Sequence, residues 1–123
     1  MGELTVRRLF RLAGWACVIT IAVLSLLPRP VGVGSEFGAP ELDHVFAYFL
    51  TAGLIALGHM RTRARIVVCM VLIGFGGFME LGQAAIPGRD GSIGDFLVNA
   101  LGVCMGLVTA MHFDRRVLSR AWR

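Results

Sequence analysis

The chain has 123 residues, 56% of them apolar and 16% charged, with a mean hydropathy of +0.73 and a formal net charge of +4. A water-soluble domain of this length cannot hide so much apolar surface in one small core, so an ordinary soluble globular fold is excluded. The apolar runs are long and continuous, which also excludes the alternating strands of a membrane barrel, and they leave no length for a separate soluble domain.

The first apolar run covers residues 9–27 and follows Arg7 and Arg8, with Arg11 in its opening turn. Basic residues before an apolar stretch also fit a secretory signal peptide. No A-x-A-like cleavage site follows, however, and Pro28-Arg29-Pro30 does, so an uncleaved first helix is expected. Residues 28–40 have loop chemistry, rich in Gly and Pro and without a helical period. The second run, 42–59, is opened by Glu41 and Asp43, acids suited to the positive end of a helix dipole. The third run is 66–85, preceded by Arg61, Arg63 and Arg65; the turn Pro87-Gly88-Arg89-Asp90-Gly91 leads to the fourth, 93–112. Each run is close to the roughly 20 residues a spanning helix needs. The expected architecture is therefore all-α: one domain, a compact bundle of four transmembrane helices.

All twelve basic residues are arginine, and they set an orientation. Arg7, Arg8 and Arg11 lie at the first helix, Arg61, Arg63 and Arg65 in the middle connection, and Arg115, Arg116, Arg120 and Arg123 after the fourth helix. The other two connections hold only Arg29 and Arg89. The positive-inside rule then puts both termini and the middle connection in the cytoplasm, with Trp122 as an inner-interface anchor. Arginines flanking apolar runs, without interleaved surface aromatics, do not make a nucleic-acid interface.

With that topology the intramembrane polar residues gather in the outer leaflet. Asp43, His44 and Tyr48 lie early in the second helix, Glu80 and Gln83 late in the third, and Ser92, Asp95 and Asn99 early in the fourth. His44 and Tyr48, Glu80 and Gln83, and Asp95 and Asn99 are three or four apart, so each pair shares a helix face. Glu80 lies about 10 Å below Pro87, and Asn99 about 10 Å below Ser92, so their depths match. An acid at mid-helix depth costs about 2.5–3.5 kcal/mol, so Glu80 must be protonated, hydrated or paired, with Arg89 or His44 as candidate partners. One polar pocket is the simplest geometry. Arg89 suits a carboxylate or phosphate clamp there. The alternative is that these groups only hold helices together through hydrogen bonds, at about 0.6–2 kcal/mol each. Tyr48 also fits an interfacial belt, and His59 and His112 read as interface residues at the inner ends.

Cys17, Cys69 and Cys104 fall in different runs and read as small packing groups, not as a disulfide or metal set. Gly74, Gly76 and Gly77, and the Gly102/Gly106 pair, read as close helix packing within the chain; homodimerisation or contact with another membrane protein is the second use of such glycines.

The ordered set Glu80-x-x-Gln83, Pro87-Gly88-Arg89, Ser92, Asp95, Asn99, Gly102 and Gly106, with His44-x-x-Ala47-Tyr48 upstream, resembles the signature of the VanZ-like proteins. The resemblance runs from about Leu27 to Gly106. It departs where many members carry an Asp-Lys pair four and three residues before the histidine: here Pro40 and Glu41 stand there, and Asp43 directly precedes His44. The resemblance implies an integral protein of the bacterial cell envelope; the name-giving member is associated with resistance to teicoplanin-type glycopeptides. No nucleotide loop, acyl-CoA motif or other cofactor signature accompanies it.

Three functions fit these residues. The first is an outward-facing site for an anionic or lipid-linked envelope component. Arg89 holds the headgroup, and Tyr48, Gln83, Ser92, Asn99 and Asp43 line the site. Glu80 or Asp95 serves as base with His44 as its acid–base partner, if a reaction occurs. A metal held by Asp43, His44, Glu80 and Asp95 is a weaker variant without a local ligand motif. The second function is a non-catalytic accessory protein whose polar cluster only fixes the bundle. The third is transport, for which four spans without an inverted repeat are few.

Overall fold

Buried positions recur along each helix at intervals of three, four or seven, and these stripes explain how the helices pack. In the computed structural model, which describes residues 2–27, 40–89 and 91–118, α1 is Glu3–Ser25, α2 is Pro40–Leu57, α3 is Thr62–Ala84 and α4 is Ile93–Phe113. A π-helical turn, Asp114–Leu118, continues α4. The buried stripe of α1 is Arg7, Gly14 and Ile21; that of α3 runs through Arg65, Cys69, Leu72, Gly76, Met79, Glu80 and Gln83; that of α4 through Asn99, Val103, Gly106 and Ala110. Every regular element among the described residues is helical.

Three of these helices are long and apolar enough to cross a membrane: α1, α3, and α4 with its π turn. At 1.5 Å per residue, 23 residues of α1 or α3 span about 34 Å, enough for a hydrocarbon core of roughly 30 Å. The remaining helix, α2, has 18 residues and carries Glu41, Asp43 and His44 near its start. It packs against α1, α3 and α4, and Thr51, Ala52 and Ile55 are fully buried. The outward faces are mainly apolar: Leu12 and Ile19 on α1, Phe46 on α2, Met70 and Phe78 on α3, and Leu97 and Val108 on α4 are all exposed. In water such a surface would aggregate; in a bilayer it is the lipid contact.

The helix ends differ from the hydropathy boundaries. α1 begins at Glu3 instead of residue 9, α3 at Thr62 instead of 66, and helical structure continues past residue 112 to Leu118. Hydropathy falls where arginines enter, but arginine is a good helix former and the backbone does not break there. The expectations for Arg29 and residues 28–39 of the loop, for Asp90, and for Arg120, Trp122 and Arg123 lie outside the described residues, while Pro40 already belongs to α2.

Gly102 and Gly106 bring α4 against α2. A Cβ on Gly102 would stand 2.7 Å from the Val45 carbonyl oxygen, and one on Gly106 would run into that of Phe49. This pair is thus consumed by packing within the chain. Gly76 faces Tyr48 and Asn99, Gly77 faces Phe96, and Gly74 opens on empty space.

Candidate functional site at one end of the bundle

Glu80 is buried near the C-terminal end of α3 and anchors a chain of hydrogen bonds across three helices. Its Oε1 accepts from Asn99 Nδ2 at 2.9 Å, and its Oε2 accepts from the Ser92 backbone N–H at 3.3 Å. Asn99 Oδ1 lies 3.0 Å from His44 Nδ1, and that ring nitrogen is 3.8 Å from Glu80 Oε1. Because Asn99 donates through its amide nitrogen, its oxygen is the acceptor, so His44 carries the proton on Nδ1 and leaves Nε2 as the acceptor. The matched depths of Glu80 and Asn99 follow from the tight link between α3 and α4: Gly88 adopts a left-handed φ of 81°, and Gly91 passes so close that a Cβ would meet the Glu80 carbonyl oxygen. That passage brings the Ser92 N–H to Glu80. Gly76, one turn from Glu80, leaves room for both the Tyr48 ring and Asn99.

Beside this chain is a small cavity of about 100 Å³ lined by Asp43, His44, Tyr48, Gln83 and Arg89, with Ile21, Leu24 and Ser25 of α1 closing one side. Gln83 Nε2 and Arg89 Nη2 each donate to the Ser25 carbonyl oxygen at 3.2 Å, one of the carbonyls orphaned at the C-terminal end of α1. A guanidinium has five N–H donors, so that single bond leaves Arg89 able to grip an anion as well. The Tyr48 side chain is 3% exposed, and its hydroxyl has no hydrogen-bond partner among the described residues. Leaving a buried hydroxyl unsatisfied costs about 1–3 kcal/mol.

Of the residues expected at the site, His44, Glu80, Ser92 and Asn99 meet directly, and Asp43, Tyr48, Gln83 and Arg89 line the adjoining cavity. Arg89 is not hydrogen-bonded to Glu80; it reaches the end of α1 instead. Asp95 stands apart. It sits in the first turn of α4, where its backbone N–H donates to the capping Ser92 Oγ at 2.9 Å, and its carboxylate joins none of these hydrogen bonds. Asp43, His44, Glu80 and Asp95 therefore do not converge as metal ligands, and no group of three or more His, Cys, Asp or Glu side chains among the described residues could hold a metal.

The opposite end holds a polar cluster that sequence reasoning missed. Asp114 Oδ1 accepts from Arg7 Nη2 at 2.8 Å, and its Oδ2 from Arg65 Nη2 at 2.6 Å; all three residues are buried. Arg7 also donates to Glu3 Oε1 at 2.8 Å and to the Leu57 carbonyl at 2.9 Å, and Arg65 Nε donates to the His59 carbonyl at 2.6 Å. Arg7 thus caps the C-terminal end of α2, where orphan carbonyls and the helix dipole favour positive charge, and Arg65 holds the turn that follows it. Fifteen residues separate Arg65 from Glu80 and Asn99 from Asp114, about 22 Å along a helix. The bundle is pinned by polar groups at both ends, with an apolar middle.

No family model, curated protein or solved structure matches the chain.

Proposed function

We propose that this chain is a VanZ-like multi-pass protein of the bacterial cytoplasmic membrane, with both termini in the cytoplasm, whose extracytoplasmic pocket binds the anionic group of a lipid or lipid-linked envelope component. The observation that carries this reading is the cavity itself, which brings the Arg89 guanidinium together with Gln83, His44 and Tyr48. A cavity of about 100 Å³ takes a headgroup fragment such as a phosphate, not a whole lipid, and the exposed apolar flanks of the bundle would accommodate the tails. Arg89 supplies the charge, while Gln83 and Tyr48 supply directional donors. Where the bound group is also processed, His44 is the proton acceptor through Nε2, held in that tautomer by Asn99, which Glu80 in turn holds. The arginine distribution supports the orientation.

The experiment is mass spectrometry of lipids that co-purify with the wild-type protein and with Arg89→Ala. The reading expects an anionic phosphate-bearing species on the wild type and its depletion on the variant. Equal amounts on both would contradict the clamp. One observation favours a second reading, in which the protein is a non-catalytic accessory: both Glu80 oxygens already have donors, so the Glu80–Asn99–His44 chain closes on itself without a ligand. On that reading Arg89→Ala changes nothing in the bound lipid.

A further inference from the structure

We infer that the arginine-rich end of the bundle carries a second anion site, distinct from the Glu80 pocket, which takes the phosphate of a phospholipid in the adjacent leaflet. Arg7, Arg8, Arg11 and Arg61 line a cavity of about 310 Å³ between the start of α1 and the end of α2. The acids of this end are already engaged. Glu3 is taken by Arg7, and Asp114 by Arg7 and Arg65. Among the described residues Arg8, Arg11 and Arg61 have no hydrogen bond or ion pair, so three cations line one cavity with no counter-charge from those residues. Arginines that served only as topology signals would not need a shared concavity.

The concavity is built by packing. Gly58 follows α2, and a Cβ there would meet the Arg11 side chain and stand 3.0 Å from both the Arg11 nitrogen and the Arg7 carbonyl oxygen. The missing side chain lets α1 cross the end of α2, which fixes Arg11 over the cavity. The Arg7–Asp114–Arg65 cluster clamps the same corner from behind. Leu4 and Met60, 64% and 59% exposed, also line the cavity. Arginines beside exposed apolar side chains match an amphiphile, with phosphate on the guanidinium groups and acyl carbon against Leu4 and Met60. Basic recesses between membrane helices bind anionic headgroups by this chemistry. Inorganic phosphate shares the charge but has nothing to place on the apolar rim, which favours the lipid.

The test uses the full chain in detergent, titrated with dioleoylphosphatidylglycerol or dioleoylphosphatidylcholine and read by native mass spectrometry. The wild type should retain phosphatidylglycerol. The Arg8→Gln/Arg11→Gln/Arg61→Gln variant should retain it on the order of a hundredfold less, since each arginine near a phosphate adds roughly a factor of five and the three multiply. The corresponding triple Lys variant should retain it near wild-type level, which separates lost charge from lost fold. Arg63→Gln removes one charge from the same connection outside the cavity and should have no effect. Every arm is repeated in an Arg89→Ala background, which removes lipid held at the far pocket, and the difference between the Gln and Lys variants should persist there, so the two sites are distinguishable. Equal retention of the two lipids, equal retention by wild type and the Gln variant, or displacement of phosphatidylglycerol by millimolar inorganic phosphate would each overturn the assignment.

Discussion

Removing Asp114 should destabilise the bundle more than any single change at the other end. Its carboxylate is the shared partner of Arg7 and Arg65, whose side chains are 6% and 4% exposed. In Asp114→Ala, Arg7 keeps Glu3 and the Leu57 carbonyl, but Arg65 keeps only the His59 carbonyl. Breaking a buried ion pair from one side leaves an uncompensated charge and costs about 3–5 kcal/mol. Asp114→Asn should cost nearly as much, because its amide turns a donor toward one of the two guanidinium groups. Replacing both charges, Asp114→Leu with Arg65→Met, should recover part of the loss, since the stranded cation at Arg65 is gone. The assay is reversible unfolding by SDS in mixed micelles, followed by circular dichroism. A loss within about 0.5 kcal/mol for Asp114→Ala, the range of ordinary surface substitutions, would refute the reasoning.

Gly106→Val should destabilise the folded chain by about 1–3 kcal/mol or more, because the new side chain meets the Phe49 carbonyl oxygen; a variant of wild-type stability that changes only oligomeric state would contradict intrachain packing. Glu80→Gln should cost roughly 1–3 kcal/mol through one mismatched donor without lowering the anionic lipid bound per molecule of protein, because Glu80 holds Asn99 and is not among the groups that grip the anion. A loss of lipid per molecule, seen by immunoblot and mass spectrometry, would contradict that division of roles. In a cysteine-free background, Ser92→Cys should react with an impermeant maleimide added outside intact cells and Arg63→Cys should not; the reverse pattern would invert the orientation.

The Glu80 cluster is legible in the sequence because two kinds of information agree. Spacing put His44 with Tyr48 and Glu80 with Gln83 on shared faces, and alternating helix direction put Glu80 and Asn99 at one depth, where their side chains bond. Asp95 shares a face with Asn99 by the same logic, but it lies a turn nearer the helix start, where Ser92 caps the backbone. The Asp114 cluster was missed because polarity was read as the end of the helix. The signal was nevertheless in the periodicity. Arg7 stands seven residues before Gly14, itself seven before Ile21; Arg65 stands four before Cys69; and Asp114 follows Ala110 by four. Each charged residue continues an apolar stripe by one step, which marks it as inward-facing. Which arginine meets Asp114 remained invisible, since the pairs are 107 and 49 residues apart and depend on how α2 is wedged between its neighbours.

The most direct test of the pocket is photocrosslinking from inside it. Leu24 lines the cavity with Arg89 and is 38% exposed, whereas Leu12 lies on the same helix, 66% exposed and away from the cavity. A benzophenone side chain at each position, activated in intact cells, should give different adducts by mass spectrometry. Position 24 should capture an anionic phosphate-bearing species enriched over the bulk lipids found at position 12, and Arg89→Ala should abolish the enrichment. The same lipid mixture at both positions, unchanged by Arg89→Ala, would contradict a ligand site at this end of the bundle.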